Sequence, residues 1–78
     1  MQAVISGENP FKALKDQFLI SPTESGYQIA YSATKDGTFT LDADAVVPAG
    51  ENLVYLGAMT YGWYKCVGLT DKEVTIIL

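Results

Sequence analysis

Apolar and polar residues alternate with a period of two along most of this chain. Residues 27–33 give the clearest case, with Tyr27, Ile29 and Tyr31 on one side and Gln28, Ala30 and Ser32 on the other. That period belongs to a strand with one buried face. Residues 73–78 repeat it, Val74, Ile76 and Leu78 alternating with Glu73, Thr75 and Ile77. Phe18 and Ile20 share a face over 17–21, and residues 63–67 read as a further strand. Residues 52–56 are apolar on both faces through Leu53, Val54, Tyr55 and Leu56. Residues 38–41 read as a return strand and 45–47 as a short edge piece. Asn9-Pro10 is a helix-start signal, and Phe11, Leu14 and Phe18 fall at helical spacing. The strand reading from Gln17 is preferred there, with one loose turn before it.

Turn residues separate these runs. Thr34-Lys35-Asp36-Gly37 reads as a hairpin turn, because Asp-Gly supplies the positive φ that tight hairpins need. Val47-Pro48-Ala49-Gly50 fits a type I turn. Short strands between regular turns predict an all-β fold, a small antiparallel β-sandwich of about six strands, jelly-roll or Ig-like. The expected core is Ile29, Tyr31, Phe39, Leu53, Tyr55, Val74 and Ile76. Residues 1–78 form a single domain, with 1–10 as a flexible or partner-bound arm.

Composition narrows the function classes. Of the 78 residues 49% are hydrophobic and 18% charged, which is a globular balance rather than a disordered one. The longest apolar run is far short of the ~20 residues of a membrane-spanning helix, and no signal peptide is evident. The net charge is -4 and no arginine is present, which argues against a nucleic-acid partner. A domain of this size buries only about 60% of its unfolded surface and is marginal alone. One cysteine, Cys66, cannot form an internal disulfide. A partner subunit is therefore the expected source of extra stability, in a homo-oligomer such as a trimer or dimer.

Catalytic constellations are sparse. Without histidine and with one cysteine there is no Ser-His or Cys-His dyad, so no enzyme activity is expected. Cys66 lies inside a predicted strand and reads as a buried, inert thiol. Asp42 and Asp44, with Asp36 and Glu51 nearby in sequence, are the only candidate calcium ligands. Their spacing is not that of an EF-hand loop, so neither metal nor cofactor is expected. The aromatic residues Tyr55, Tyr61, Trp63 and Tyr64 cluster within ten positions. Such residues fill cores, anchor protein interfaces or stack on sugars. Trp63 and Tyr64 must face opposite sides of their strand. The apolar stretch from Val74 to Leu78 has, after Lys72 and Glu73, neither the charge nor the proline that normally blunts an edge. Tyr61, Trp63, Tyr64, Ile77 and Leu78 are accordingly the candidate interface residues.

The phrase Tyr27-Gln28-Ile29-Ala30-Tyr31-Ser32, Asp36-Gly37, Thr38-Phe39-Thr40 resembles the strand–turn–strand of small β-sandwich modules, discoidin-like domains among them, which are about twice as long. Val47-Pro48-Ala49-Gly50-Glu51, then Gly62-Trp63-Tyr64-Lys65 and the terminal Glu73-Val74-Thr75-Ile76-Ile77, resembles short accessory virion proteins of tailed bacteriophages, of the head-fibre or capsid-decoration type. This resemblance spans residues 17–78 and rests on turn phrases. It implies a non-enzymatic, oligomeric structural role on a virion, with a larger virion protein as a possible partner. The alternative is a small carbohydrate- or cell-surface-binding module, secreted or surface-bound.

Overall fold

A computed structural model describes residues 2–77. Eight strands run β1 (Gln2–Ser6), β2 (Phe11–Lys12), β3 (Gln17–Ile20), β4 (Tyr27–Ser32), β5 (Thr40–Val47), β6 (Leu53–Leu56), β7 (Trp63–Val67) and β8 (Glu73–Ile77). One 3₁₀ turn, Ala58–Thr60, lies between β6 and β7. Sheet A has the order β1-β8-β3-β6 and sheet B the order β2-β7-β4-β5. All pairings are antiparallel. Strands one and eight, two and seven, three and six, four and five are thus neighbours, as when one long hairpin is wrapped into two sheets. This is the jelly-roll arrangement, which selects between the two sandwich types expected.

The strand count exceeds the six expected because residues 2–12 supply two more. β1 pairs with β8 over its whole length, from Gln2 opposite Ile77 to Ser6 opposite Glu73. Residues 2–6 are therefore an edge strand of the sandwich rather than a free arm. β8 in turn is not an edge: it lies between β1 and β3. Residues 11–12 form a strand where a loose turn was expected, because Phe11 is drawn into the core opposite Tyr64. Its ring meets Phe18 edge-on, with centroids 5.1 Å apart.

The inner faces supply the core. Phe18, Ile20, Val74 and Ile76 come from sheet A; Phe11, Tyr27, Ile29, Tyr64 and Cys66 come from sheet B. Tyr31, Leu53, Tyr55 and Ile5 pack against it, half-buried. Of the expected core, Phe39 alone lies outside it. The expected tight hairpin at 34–37 is instead a seven-residue connection, since Tyr31 pairs with Thr40. Gly37 accepts no positive φ but is needed for closeness: a Cβ there would stand 2.8 Å from Ser32 Oγ. The 33–39 loop thus folds back over the outer face of sheet B, where Ala30 and Ser32 are buried despite facing outward by parity. Phe39, in that loop, lies beneath the Lys65 ammonium, 4.7 Å from the ring centroid.

The segments 38–41 and 45–47 merge into the single strand β5, which breaks register with β4 between Gln28 and Ala30. Within the break the Asp42 carboxylate accepts the Asp44 amide (2.9 Å), and the Gln28 side chain donates to the Asp42 carbonyl (3.0 Å). The following turn begins one residue later than expected, with the Glu51 amide donating to the Pro48 carbonyl. Gly50 then occupies the third position at φ 83°, where a glycine is required.

Candidate interaction surfaces

Side chains that point away from the core differ between the two sheets. On sheet A, register places Gln2 beside Ile77, Ile77 beside Leu19, and Leu19 beside Val54. This row crosses all four strands without a charge. Val4 beside Thr75 and Gln17 beside Leu56 flank it. Val4 is 59% exposed, Val54 55%, Leu56 71% and Ile77 41%. Aliphatic side chains on adjacent strands at such exposure form a contiguous patch, not scattered surface residues. Glu73, opposite Ser6 at one end, is the only carboxylate on this face of the four strands.

The outer face of sheet B is built otherwise. Lys12 stands beside Trp63, and Lys65 beside Ala30. The Lys35 ammonium lies 6.0 Å from the Trp63 ring centroid and that of Lys65 over Phe39. A cation over an aromatic face is held by the ring's negative π surface. The sheet edges differ in the same sense. β2 is two residues long, follows Pro10 and carries Lys12; β5 carries Asp42 and Asp44 and breaks register. β1 (QAVIS) and β6 (LVYL) contain neither charge nor proline.

The aromatic candidates separate. Tyr64 is fully buried, and its hydroxyl donates to the Ala58 carbonyl at 2.5 Å. As a core residue it has no surface to offer and is withdrawn from the interface set. Its burial follows from parity, since Trp63 takes the outer side of β7, half-buried under Lys35. Tyr61 is exposed and stacks on Tyr31 with centroids 4.0 Å apart. Ile77 joins the sheet A row. Leu78 lies outside the described residues. The surface residues that sequence reasoning passed over are Val4, Leu19, Val54 and Leu56. The run of apolar residues on both faces of 53–56 was the signal for Val54 and Leu56; Val4 and Leu19 had none.

Titratable groups show no reactive pairing. Burial pushes the Cys66 thiol up to about 12, consistent with its place in the core. The Tyr55 hydroxyl is raised, first by burial and then by donating to Asp42 Oδ2 at 2.5 Å. Among the described residues no three of His, Cys, Asp or Glu come together as metal ligands. Glu8 accepts from the Gly68 amide (3.1 Å) and the Thr70 hydroxyl (2.8 Å), which lowers its pKa. These bonds tie the β1–β2 connection to the turn before β8. Comparison with protein-family models, curated proteins and solved structures finds no match, so the functional reading rests on this chain's own geometry.

Proposed function

We propose that this chain is a non-enzymatic structural subunit that pairs with a second copy of itself through the outer face of sheet A. The observation that carries the reading is the uncharged row Gln2, Ile77, Leu19 and Val54 with its aliphatic flanks. A contact between identical faces brings the same residues together, so it tolerates no concentration of one charge sign. On a chain of net charge -4 this face meets that condition. A stable interface takes ~800 Å² from each partner. The chain exposes 4569 Å² in all, so such a contact would take roughly a sixth of its surface. The resemblance to accessory virion proteins agrees with this role and makes a phage head or fibre the proposed setting. Jelly rolls also build viral capsids, which supports the setting by analogy only.

The test is sedimentation equilibrium across a hundredfold range of protein concentration. The wild type is expected at twice its 8.4 kDa mass. Val54→Lys and Ile77→Lys, both at exposed positions, should give folded monomers. A wild type that stays monomeric and melts at a concentration-independent temperature would refute self-association, since a dimer gains stability by mass action.

A further inference from the structure

Beyond self-association, the free edge of β6 offers a second and chemically different surface. Among the described residues β6 pairs only with β3, so every second residue on its far side turns backbone donors and acceptors outward. Between this edge and β5 of the opposite sheet runs a groove of about 400 Å³. Asp42 and Asp44 form its β5 wall, and Val54 and Leu56 its β6 wall. Tyr55 crosses it to bond Asp42.

A strand laid beyond β6 would sit ~4.8 Å away in the plane of sheet A, with side chains alternating between the two faces. Its inward side chains would meet Asp42 and Asp44, and its outward ones would continue the row that ends at Val54. We infer that the β6 edge receives an extended segment of another protein in which basic residues alternate with aliphatic ones. Main-chain bonds to β6 supply the affinity of such strand addition, and the alternate side chains supply its selectivity. A second copy is not the occupant. Pairing β6 with its own twin would crowd Asp42 and Asp44 of both copies around one groove, four carboxylates with no cation among them.

The probe is an eight-residue acetylated peptide of alternating lysine and valine, titrated against the full chain at low salt. Two controls separate the parts of the argument: a glutamate-for-lysine peptide, and a lysine peptide with a central proline that cannot continue a strand. The lysine–valine peptide should bind about tenfold more tightly than either control, because one control loses the charge-assisted contacts and the other the main-chain ladder. It should also slow amide exchange at β6 residues and not at β1. Asp44→Asn, which alters one exposed side chain, should weaken it several-fold while leaving the dimer mass unchanged. Equal binding of the glutamate peptide would overturn the assignment of charge. Equal binding of the proline peptide would overturn strand addition, and protection confined to β1 would overturn the choice of edge.

Discussion

The two sheets of this sandwich share one core and differ in nearly everything they turn outward. Sheet B is partly screened by its own chain, although Leu41 and Val46 of β5 stay exposed on its outer side. The 33–39 loop lies against Ser32, lysines stand over Trp63 and Phe39, and both edge strands are short, charged or out of register. Sheet A has no charge or proline within its aliphatic row or its two edge strands, and Lys15 beside the row and Asp42 and Asp44 beside β6 are the charges that flank them. Strand edges and apolar faces left bare invite association, and proteins blunt them where association would be harmful. One sheet here is guarded and the other is open. The asymmetry supports sheet A as the site of the proposed contact, and it moves attention from the aromatic cluster, which sequence makes conspicuous, to plain Val, Leu and Ile.

The sharpest break of this comparison lies within β8, where neighbours serve opposite faces. Ile76 is fully buried and Ile77 is exposed. Ile76→Ala should cost about 2–5 kcal/mol of stability, the range for a truncated core aliphatic. Ile77→Ala, measured on dilute monomer by urea unfolding, should stay within about 0.5 kcal/mol. Equal losses would mean that the outer face is in truth packed, and the distinction between the faces would fail.

Next in size is the contrast between the outer faces themselves. Val54→Lys should raise the dimer dissociation constant at least about tenfold, because it puts a desolvated charge in an uncharged contact. Trp63→Ala, on sheet B, should leave that constant unchanged. Sedimentation of both variants decides it. A dissociated Trp63→Ala protein with an intact Val54→Lys dimer would transfer the interface to sheet B.

Two tyrosines refine the picture of the shared core. The Tyr27 hydroxyl is buried without a hydrogen-bond partner, whereas that of Tyr55 donates to the Asp42 carboxylate. An unpaired buried hydroxyl carries an uncompensated desolvation cost; a bond to a charged acceptor is worth ~1.5–3 kcal/mol. Tyr27→Phe should therefore raise stability by about 1 kcal/mol, and Tyr55→Phe should lower it by about 1.5 kcal/mol, the low end of that range because the bond is only part-buried. The opposite signs are the test. A destabilised Tyr27→Phe would mean that a bound water satisfies the hydroxyl.

What was legible in the sequence was periodic and local. Alternation in Tyr27–Ser32 and Glu73–Ile77 located two strands and their inward residues Ile29, Val74 and Ile76. Most of the misplacements are non-local. Gln2–Ser6 is a strand because β8 lies beside it, and five residues of mixed polarity do not announce that partner. Phe39 reads as core by its size, yet the length of the loop decides its place, and loop length depends on where β4 and β5 regain register. Asp36-Gly37 has the composition of a two-residue hairpin, but the backbone spends that glycine on closeness to Ser32 instead. The sheet A patch shares this character. Its row assembles Gln2, Leu19, Val54 and Ile77 from four separate strands, so it exists only once register is known.

The smallest expected effect concerns Glu8, which ties the start of sheet A to the turn before β8. Its carboxylate accepts from Thr70 and Gly68, and these bonds hold its pKa below the ordinary 4.5. A carboxyl whose folded pKa is depressed stabilises the fold above its unfolded value, and that contribution fades as pH falls through the folded value. The loss should thus begin near pH 4.5 and deepen in more acid solution. The group is exposed, so solvent screening keeps the effect small. Glu8→Gln retains a carbonyl acceptor but no charge. The variant should match the wild type in strong acid and fall slightly below it at neutral pH, with amide exchange at Gly68 quickened. Because β1 is an edge of sheet A, a loosened Glu8 should leave the β6 side of that sheet untouched. Parallel loss of exchange protection in β6 would show that sheet A responds as one unit rather than strand by strand.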